Sequence, residues 1–379
     1  MFYSRDLAHQ ALGAHLLGLD DENFAMFRHF ARSATERRRL YPLWAFNFDG
    51  SPAAVDYHSD DDFVRETPAV FELVEKSLEQ FLWTRDARWL DDPDLARFAR
   101  ATVTRFADLH DVQGTGIAGE KGGRDIFAGS PTYNEASGTP DIQVAADALA
   151  SQWAAMRLFA LVAANGEEQL ELLDEVERIK SLFEHEWWHD DHYITGRTAT
   201  GPIVHFANEP SWFPAVKGLL DFDSERATNH LAFLSRNLQV SPPGNIEAFT
   251  YLPEAFHRYG QDDEALAWII HLLESRALYP EVSFTLIAHL ATGLTGLQPN
   301  LDGSVATRSH IDDDSWVQVE HVSIAGADIS VRHDGRRATT ITVHSASGPL
   351  VWNAGFDGGE HRSILVEPGT SAELHANHP

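Results

Sequence analysis

Residues 167–188 read EEQLELLDEVERIKSLFEHEWW, and the reading of this stretch decides the fold. Leu172, Leu173, Val176, Ile179, Phe183 and Trp187 recur at helical spacing, with charged residues between them. That period lays one apolar stripe along one face of a helix and leaves the rest to water. The same pattern returns further upstream. From Arg65 to Trp83 the stripe is Val70, Leu73, Val74, Leu78 and Phe81, and from Asp94 to Asp111 it is Leu95, Phe98, Ala99, Thr102, Val103 and Phe106. Further helices are expected near 6–19, 21–38, 141–164, 213–220, 224–237, 247–259, 262–274 and 282–296, about eleven in all. Asp20-Asp21, Asp92-Pro93 and Pro140 supply helix starts.

Long loops rich in Gly, Pro, Asp and aromatics separate these helices at 40–60, 112–140, 186–212 and 238–246. Loops of this length in a compact domain are usually functional. After Pro299 the period drops to two: Val317 and Val319, Ile329 and Val331, Ile341 and Val343, Leu350 and Trp352, Ile364 and Val366, with turns such as Asp334-Gly335 between the runs. The chain therefore divides into a helical domain, 1–300, and a small C-terminal antiparallel β-sandwich, 301–379. A mainly α body of helical hairpins with a β-appendage reads as an (α/α)6 toroid. Eleven helices leave a twelve-helix ring one short. The apolar edge of the first helix is then expected to be covered by a preceding segment or by a second copy in a homo-oligomer.

Composition narrows the partners. The 379 residues carry 29 basic and 57 acidic side chains, a net charge of −28, which repels nucleic acid and anionic membranes. There is no cysteine, so a disulfide framework, a thiolate metal site and a cysteine nucleophile are all excluded. No signal-peptide pattern opens the chain and no apolar run reaches the roughly 20 residues of a membrane span, so a soluble, cytoplasmic protein is expected. No cofactor and no metal is expected either. His185 and His189, four residues apart, would share a helix face, but with twenty histidines in the chain such pairs arise by chance. The Asp60–Asp62 run is expected to cap a helix.

Four loop patches concentrate polar and aromatic side chains at predicted helix ends. They are Tyr3-Ser4-Arg5-Asp6, the run Trp44–Gly50 with Asp56-Tyr57-His58, Tyr133–Gly138, and Tyr279–Phe284. In a helical toroid one set of helix ends forms the rim of a funnel. Two carboxylates across such a funnel suit glycoside hydrolysis, one protonated to release the leaving oxygen, the other ionised to activate water. Trp44, Trp187, Trp188 and Trp212, flanked by polar residues, are hard to explain as packing alone.

These patches also resemble a known superfamily. Tyr3-Ser4-Arg5-Asp6-Leu7-Ala8 is similar to the W-x-R-D-x-A entry of glucoamylase-like, six-hairpin glycoside hydrolases. Asn134-Glu135-Ala136-Ser137-Gly138 resembles their E-x-x-G segment, and Tyr279-Pro280-Glu281-Val282-Ser283-Phe284 resembles the F-P-Q-A-F-S-H helix that ends their toroid. The resemblance implies an exo-acting, inverting glycoside hydrolase on a neutral oligo- or polysaccharide. Glu135 would be the general acid and Glu281 the general base, with Glu247 and Glu274 as alternative bases. Arg5, Asp6, Trp44, Asp49, Tyr57 and Trp188 would bind the sugar. The rival readings are a polysaccharide lyase or sugar isomerase on the same toroid, using Tyr133, Tyr57 or His58, and a non-catalytic glycan-binding protein.

Overall fold

A computed structural model of the chain describes residues 1–121, 126–133 and 141–377. Among these residues eleven main helices precede the β-domain: α1 Ser4–Leu16, α2 Asp20–Ser33, α3 Thr67–Thr84, α4 Pro93–Ala101, α5 Ala146–Val162, α6 Gly166–Glu186, α7 Asn208–Val216, α8 Glu225–Val240, α9 Leu252–Arg258, α10 Asp262–Ser275 and α11 Pro280–Ala288. The odd-numbered helices form an inner ring. α1 packs on α3, α3 on α5, α5 on α7 and α7 on α9; α9 meets the wide turn His289–Gly293 that continues α11, and α11 returns to α1. The even-numbered helices lie outside them, α2 on α1 and α4, α6 on α5, and α10 on α9. This is the (α/α)6 toroid.

Composition sorts the rings. α6 buries only Leu172, Val176, Ile179 and Phe183, the single stripe of an outer helix. α5 buries nearly every side chain from Ala146 to Met156, and its many alanines let neighbours close in from all sides. Caps fix several starts: the Asp92 carboxylate accepts from the amides of Asp94 and Leu95 ahead of α4, and Ser224 accepts from Ala227 at α8.

The structure corrects several local expectations. The helix expected at 213–220 begins earlier, at Asn208, with Pro210 in its first turn, where a missing amide hydrogen costs nothing. The stretch 141–164 opens as a strand, Ile142–Ala145, paired with Gly196–Thr198 before α5 begins. Asp60–Asp62 caps no helix. It turns a hairpin between Tyr57–Ser59 and Asp62–Phe63, with Asp60 accepting from the Tyr57 hydroxyl and paired to Arg38. Trp187 and Trp212 are fully buried core residues.

The β-domain begins with strand Gln298–Pro299 and consists of two four-stranded sheets. One is antiparallel throughout: Trp316–Ile324, Ala327–Asp334, Ala338–Ser345 and Thr370–His375. The other contains one parallel pairing, Val305–Arg308 along Leu350–Gly355. Ile329, Val331, Ile341, Val343, Trp352 and Val366 fill the space between the sheets. Trp83, Leu12 and Leu16, from the C-terminal ends of α3 and α1, pack into the same core. The Ala325 amide donates to the Trp83 carbonyl at 2.7 Å, and His15 Nε2 meets the Ser323 carbonyl at 2.8 Å. The sandwich thus sits on the ends of α1 and α3 remote from Arg5 and Glu66.

Candidate active site

All six inner helices start on one rim, and each brings a polar side chain to it. α1 supplies Arg5 and Asp6, the residue before α3 is Glu66, α5 supplies Asp147, α7 Glu209, the turn Ile246–Phe249 before α9 Glu247, and α11 Glu281. A helix N-terminus carries partial positive charge and tolerates a carboxylate, so six parallel starts can gather carboxylates at one place.

Arg5 is the hub. Its guanidinium lies 3.8 Å from Glu66 and 3.5 Å from Glu247, donates to the Tyr133 carbonyl at 3.3 Å, and stands over the Tyr133 ring. Burial works against its charge, but Glu66, Glu209 and Glu281 outweigh it and raise its pKa well above the ordinary arginine value. Trp44 donates its indole N–H to Glu66 at 2.7 Å and stacks edge-on with Tyr3. Glu281 is 1% exposed; His9 Nδ1 holds its Oε1 at 2.7 Å, while Oε2 has no hydrogen-bond partner among the described residues. Glu209 Oε2 and the Tyr251 hydroxyl are likewise buried and unpartnered there. Orphaned polar atoms in one place are what a site built for water and hydroxyl groups leaves behind.

Burial sets the acidities. It pushes Glu281 up to about 8, with Glu247 and Glu72 adding and Arg5 opposing. It pushes Glu209 up to about 8 as well, against the pull of Arg5. Asp147 rises to about 7 by burial although it accepts from the Tyr133 amide and the Thr132 hydroxyl, both at 2.8 Å. Those two bonds anchor the segment that leads into residue 134.

Immediately below the rim the acids are matched by bases. Lys217 lies between Glu72 and Glu75, 2.6 Å from the latter, and Tyr133 donates its hydroxyl to Glu72 at 2.8 Å. Lys76 pairs with Glu79 at 2.9 Å, and Arg258 with Glu254 at 2.9 Å.

The structure brings Arg5, Glu247 and Glu281 together, with Trp44 joined to them through Glu66. Asp6 faces the same group, since its charge acts on Tyr3 and Tyr279. Glu135 lies outside the described residues. The other expected site residues have different partners. Asp49 is exposed and closes its own turn through Ser51. Tyr57 binds Asp60 and lies under Arg38, and Trp188 packs on Tyr193 beneath Arg226. Glu274 is an exposed residue near the end of α10, on no inner helix. Sequence reasoning missed Glu66, Asp147, Glu209 and His9. First-turn acids gave no signal, because the outer helices carry them as well, and misplacing the start of α7 hid Glu209.

Histidines near a carboxylate occur elsewhere: the ligand atoms of His257, Asp262 and His310 lie within 4.8 Å of one another at the C-terminal end of α9. Arg336 already binds Asp262 Oδ2 at 3.0 Å, so that carboxylate is neutralised without an ion. No helix among the described residues is long and apolar enough to cross a membrane.

Comparison with solved structures agrees with this geometry. An α-L-rhamnosidase from Dictyoglumus thermophilum superposes with a TM-score of 0.62 at 11% identity, over 98% of this chain and 45% of its own. One from Aspergillus terreus gives 0.60 at 10% identity, over 99% and 45%. A protein assigned as a kojibiose phosphorylase, from the human microbiome, gives 0.59 at 8%, over 99% and 60%. The fold is that of the six-hairpin glycosidases. The chain spans less than half the length of the two rhamnosidases. No family model and no curated protein sequence matches it.

Proposed function

We propose that this chain is a glycoside hydrolase that removes a sugar from the non-reducing end of a neutral glycan with inversion. Glu281 is the general base and Glu135 the general acid; Arg5, Asp6, Trp44, Glu66, Glu209 and Glu247 hold the terminal sugar. The observation that carries this reading is the Glu281 carboxylate. One of its oxygens is fixed by His9, and the other is buried, without a hydrogen-bond partner among the described residues, and close enough to Arg5 to feel its charge. An oxygen so placed can accept the proton of an attacking water while the arginine and its acidic neighbours hold hydroxyl groups. Glu247 remains an alternative base because it lies 3.5 Å from Arg5.

Phosphorolysis is the second reading, since one structural neighbour is assigned as a phosphorylase. Five further carboxyl groups, Asp6, Glu66, Asp147, Glu209 and Glu247, surround Arg5 or share its rim with Glu281; ionised or protonated, they suit hydroxyl groups better than a phosphate dianion. The lyase and isomerase readings lose support. The Tyr133 hydroxyl is committed to Glu72, and Tyr57 and His58 bind Asp60 and Asp62.

The test is a panel of 4-nitrophenyl glycosides, including the α-L-rhamnoside and the α-D-glucoside, and matching oligosaccharides, with and without phosphate. Release that is independent of phosphate, with the inverted anomer as the first product by NMR, supports the proposal. Release only with phosphate, or an unsaturated product, replaces it.

A further inference from the structure

We infer that His9 is the positioning residue for the general base: its Nδ1–H aims the Glu281 carboxylate and stabilises its ionised form. The inference rests on the reading of Glu281 as base. It is carried by the hydrogen-bond arithmetic around one ring nitrogen. His9 Nδ1 lies 2.7 Å from Glu281 Oε1 and 3.3 Å from Thr250 Oγ1. The Thr250 hydroxyl already donates to the Glu247 carbonyl, so toward His9 it can only accept. Thr250 Oγ1 is thus an acceptor at Nδ1, and Glu281 Oε1 is a second one once Glu281 is ionised. With the proton on Nδ1 the ring donates to the ionised carboxylate, the form in which a general base acts.

The ring is held in its plane. It stacks on Tyr251 at 3.7 Å with the planes 1° apart. One turn below, a Cβ on Gly13 would sit 2.0 Å from the Phe284 carbonyl, so only glycine lets α1 and α11 approach this closely. His9 and Glu281 lie one helical turn before Gly13 and Phe284, and this crossing sets their register. The surroundings keep the imidazole neutral: burial lowers His9 to about 3, with the Glu72 and Glu254 charges opposing and Lys76 and Lys217 assisting. Glu281 faces Arg5 on α1, Glu247 on the turn before α9, and Glu72 on α3. His289, at the end of α11, is tied to the Thr250 carbonyl and is itself pushed down to about 4 by burial. A neutral donor beside a carboxylate orients it without supplying a proton of its own.

Three variants of the full chain test this: His9→Leu, His9→Asn and Glu281→Gln. Asparagine can place an amide N–H near the Nδ1 position; leucine fills the space without a donor. On the aryl glycoside that the wild type turns over, His9→Leu should lower kcat about tenfold with KM nearly unchanged and move the acidic limb of the kcat/KM profile up by about one pH unit. That is the scale of one lost hydrogen bond to a carboxylate. His9→Asn should restore the limb. Imidazole ¹⁵N NMR gives a readout without substrate: the His9 signal should be that of a neutral, Nδ1-protonated ring from pH 5 to 9 and should shift with the titration of Glu281, a shift absent in Glu281→Gln. If folded His9→Leu keeps the wild-type limb, or the ring proves to carry its proton on Nε2, the positioning role is overturned while the base survives. If Glu281→Gln remains active, the base assignment itself falls, and the role of His9 with it.

Discussion

Two layers of the same barrel bury carboxyl groups and treat them in opposite ways. On the axis, Glu72 and Glu75 share Lys217; beside them half-buried Glu254 feels Lys76, Arg258 and Lys217, so its pKa drops to about 2 although burial alone would raise it. On the rim, Arg5 is the cation among the described residues that Glu209 and Glu281 answer to, and both rise to about 8. Glu72, Glu75, Glu209 and Glu281 are all buried; the supply of cations differs. A buried acid with its own base is a structural pair. A buried acid left short of one keeps a proton or a free oxygen available for chemistry.

The largest effect that could break this contrast is catalytic. Glu281→Gln should lower glycan turnover by about 10²–10⁴-fold, the usual worth of general base assistance, with the fold intact by circular dichroism. An activated aryl glycoside should partly rescue Glu135→Gln but not Glu281→Gln, because the water still needs a base. Near-wild-type Glu281→Gln beside inactive Glu247→Gln would move the base to Glu247.

Next in size is the axis. Lys217→Met strands Glu72 and Glu75 in the interior and should cost about 3–5 kcal/mol in urea unfolding. Retention of full stability would mean that this layer is no more structural than the rim.

A smaller effect sharpens the comparison through pH. The rim carboxyls have folded-state pKa values raised above those of the unfolded chain, so the stability they contribute is complete at low pH and is lost as pH rises through their folded values, near 8 for Glu209 and Glu281. Between pH 7 and 8, above the range where the buried histidines titrate in the unfolded chain, each contributes a decline of up to about 1.4 kcal/mol. Glu209→Gln should remove its share, so that its melting temperature falls less than that of the wild type from pH 7 to 9. An equal fall in both proteins would show that Glu209 is ionised throughout. The smallest effects belong to Glu274→Gln and Asp49→Ala, exposed positions off the rim, which should stay within about 0.5 kcal/mol in stability and near wild type in rate.

The sequence by itself determined the class of the fold. Period and length suffice for that: a stripe such as Leu172–Val176–Ile179–Phe183 can be buried only along one face of a helix, and the alternation after Pro299 only between two sheets. It also pointed to Arg5 and Glu281, each at a helix start beside aromatics, and through the resemblance to Glu247 as an alternative base. Only the tertiary structure decided which acids share a site. Glu66 looks like a residue just ahead of a helix, Asp147 and Glu209 like ordinary first-turn residues, and Glu72 and Glu75 like the polar face of an amphipathic helix. Ring closure puts the first three around the Arg5 rim and the last two against Lys217. The physical reason is distance. Local spacing fixes which face of its own helix a side chain occupies, but the charge it meets, and so its proton, comes from helices distant along the chain, from Arg5 to Glu66 and from Lys217 to Glu72.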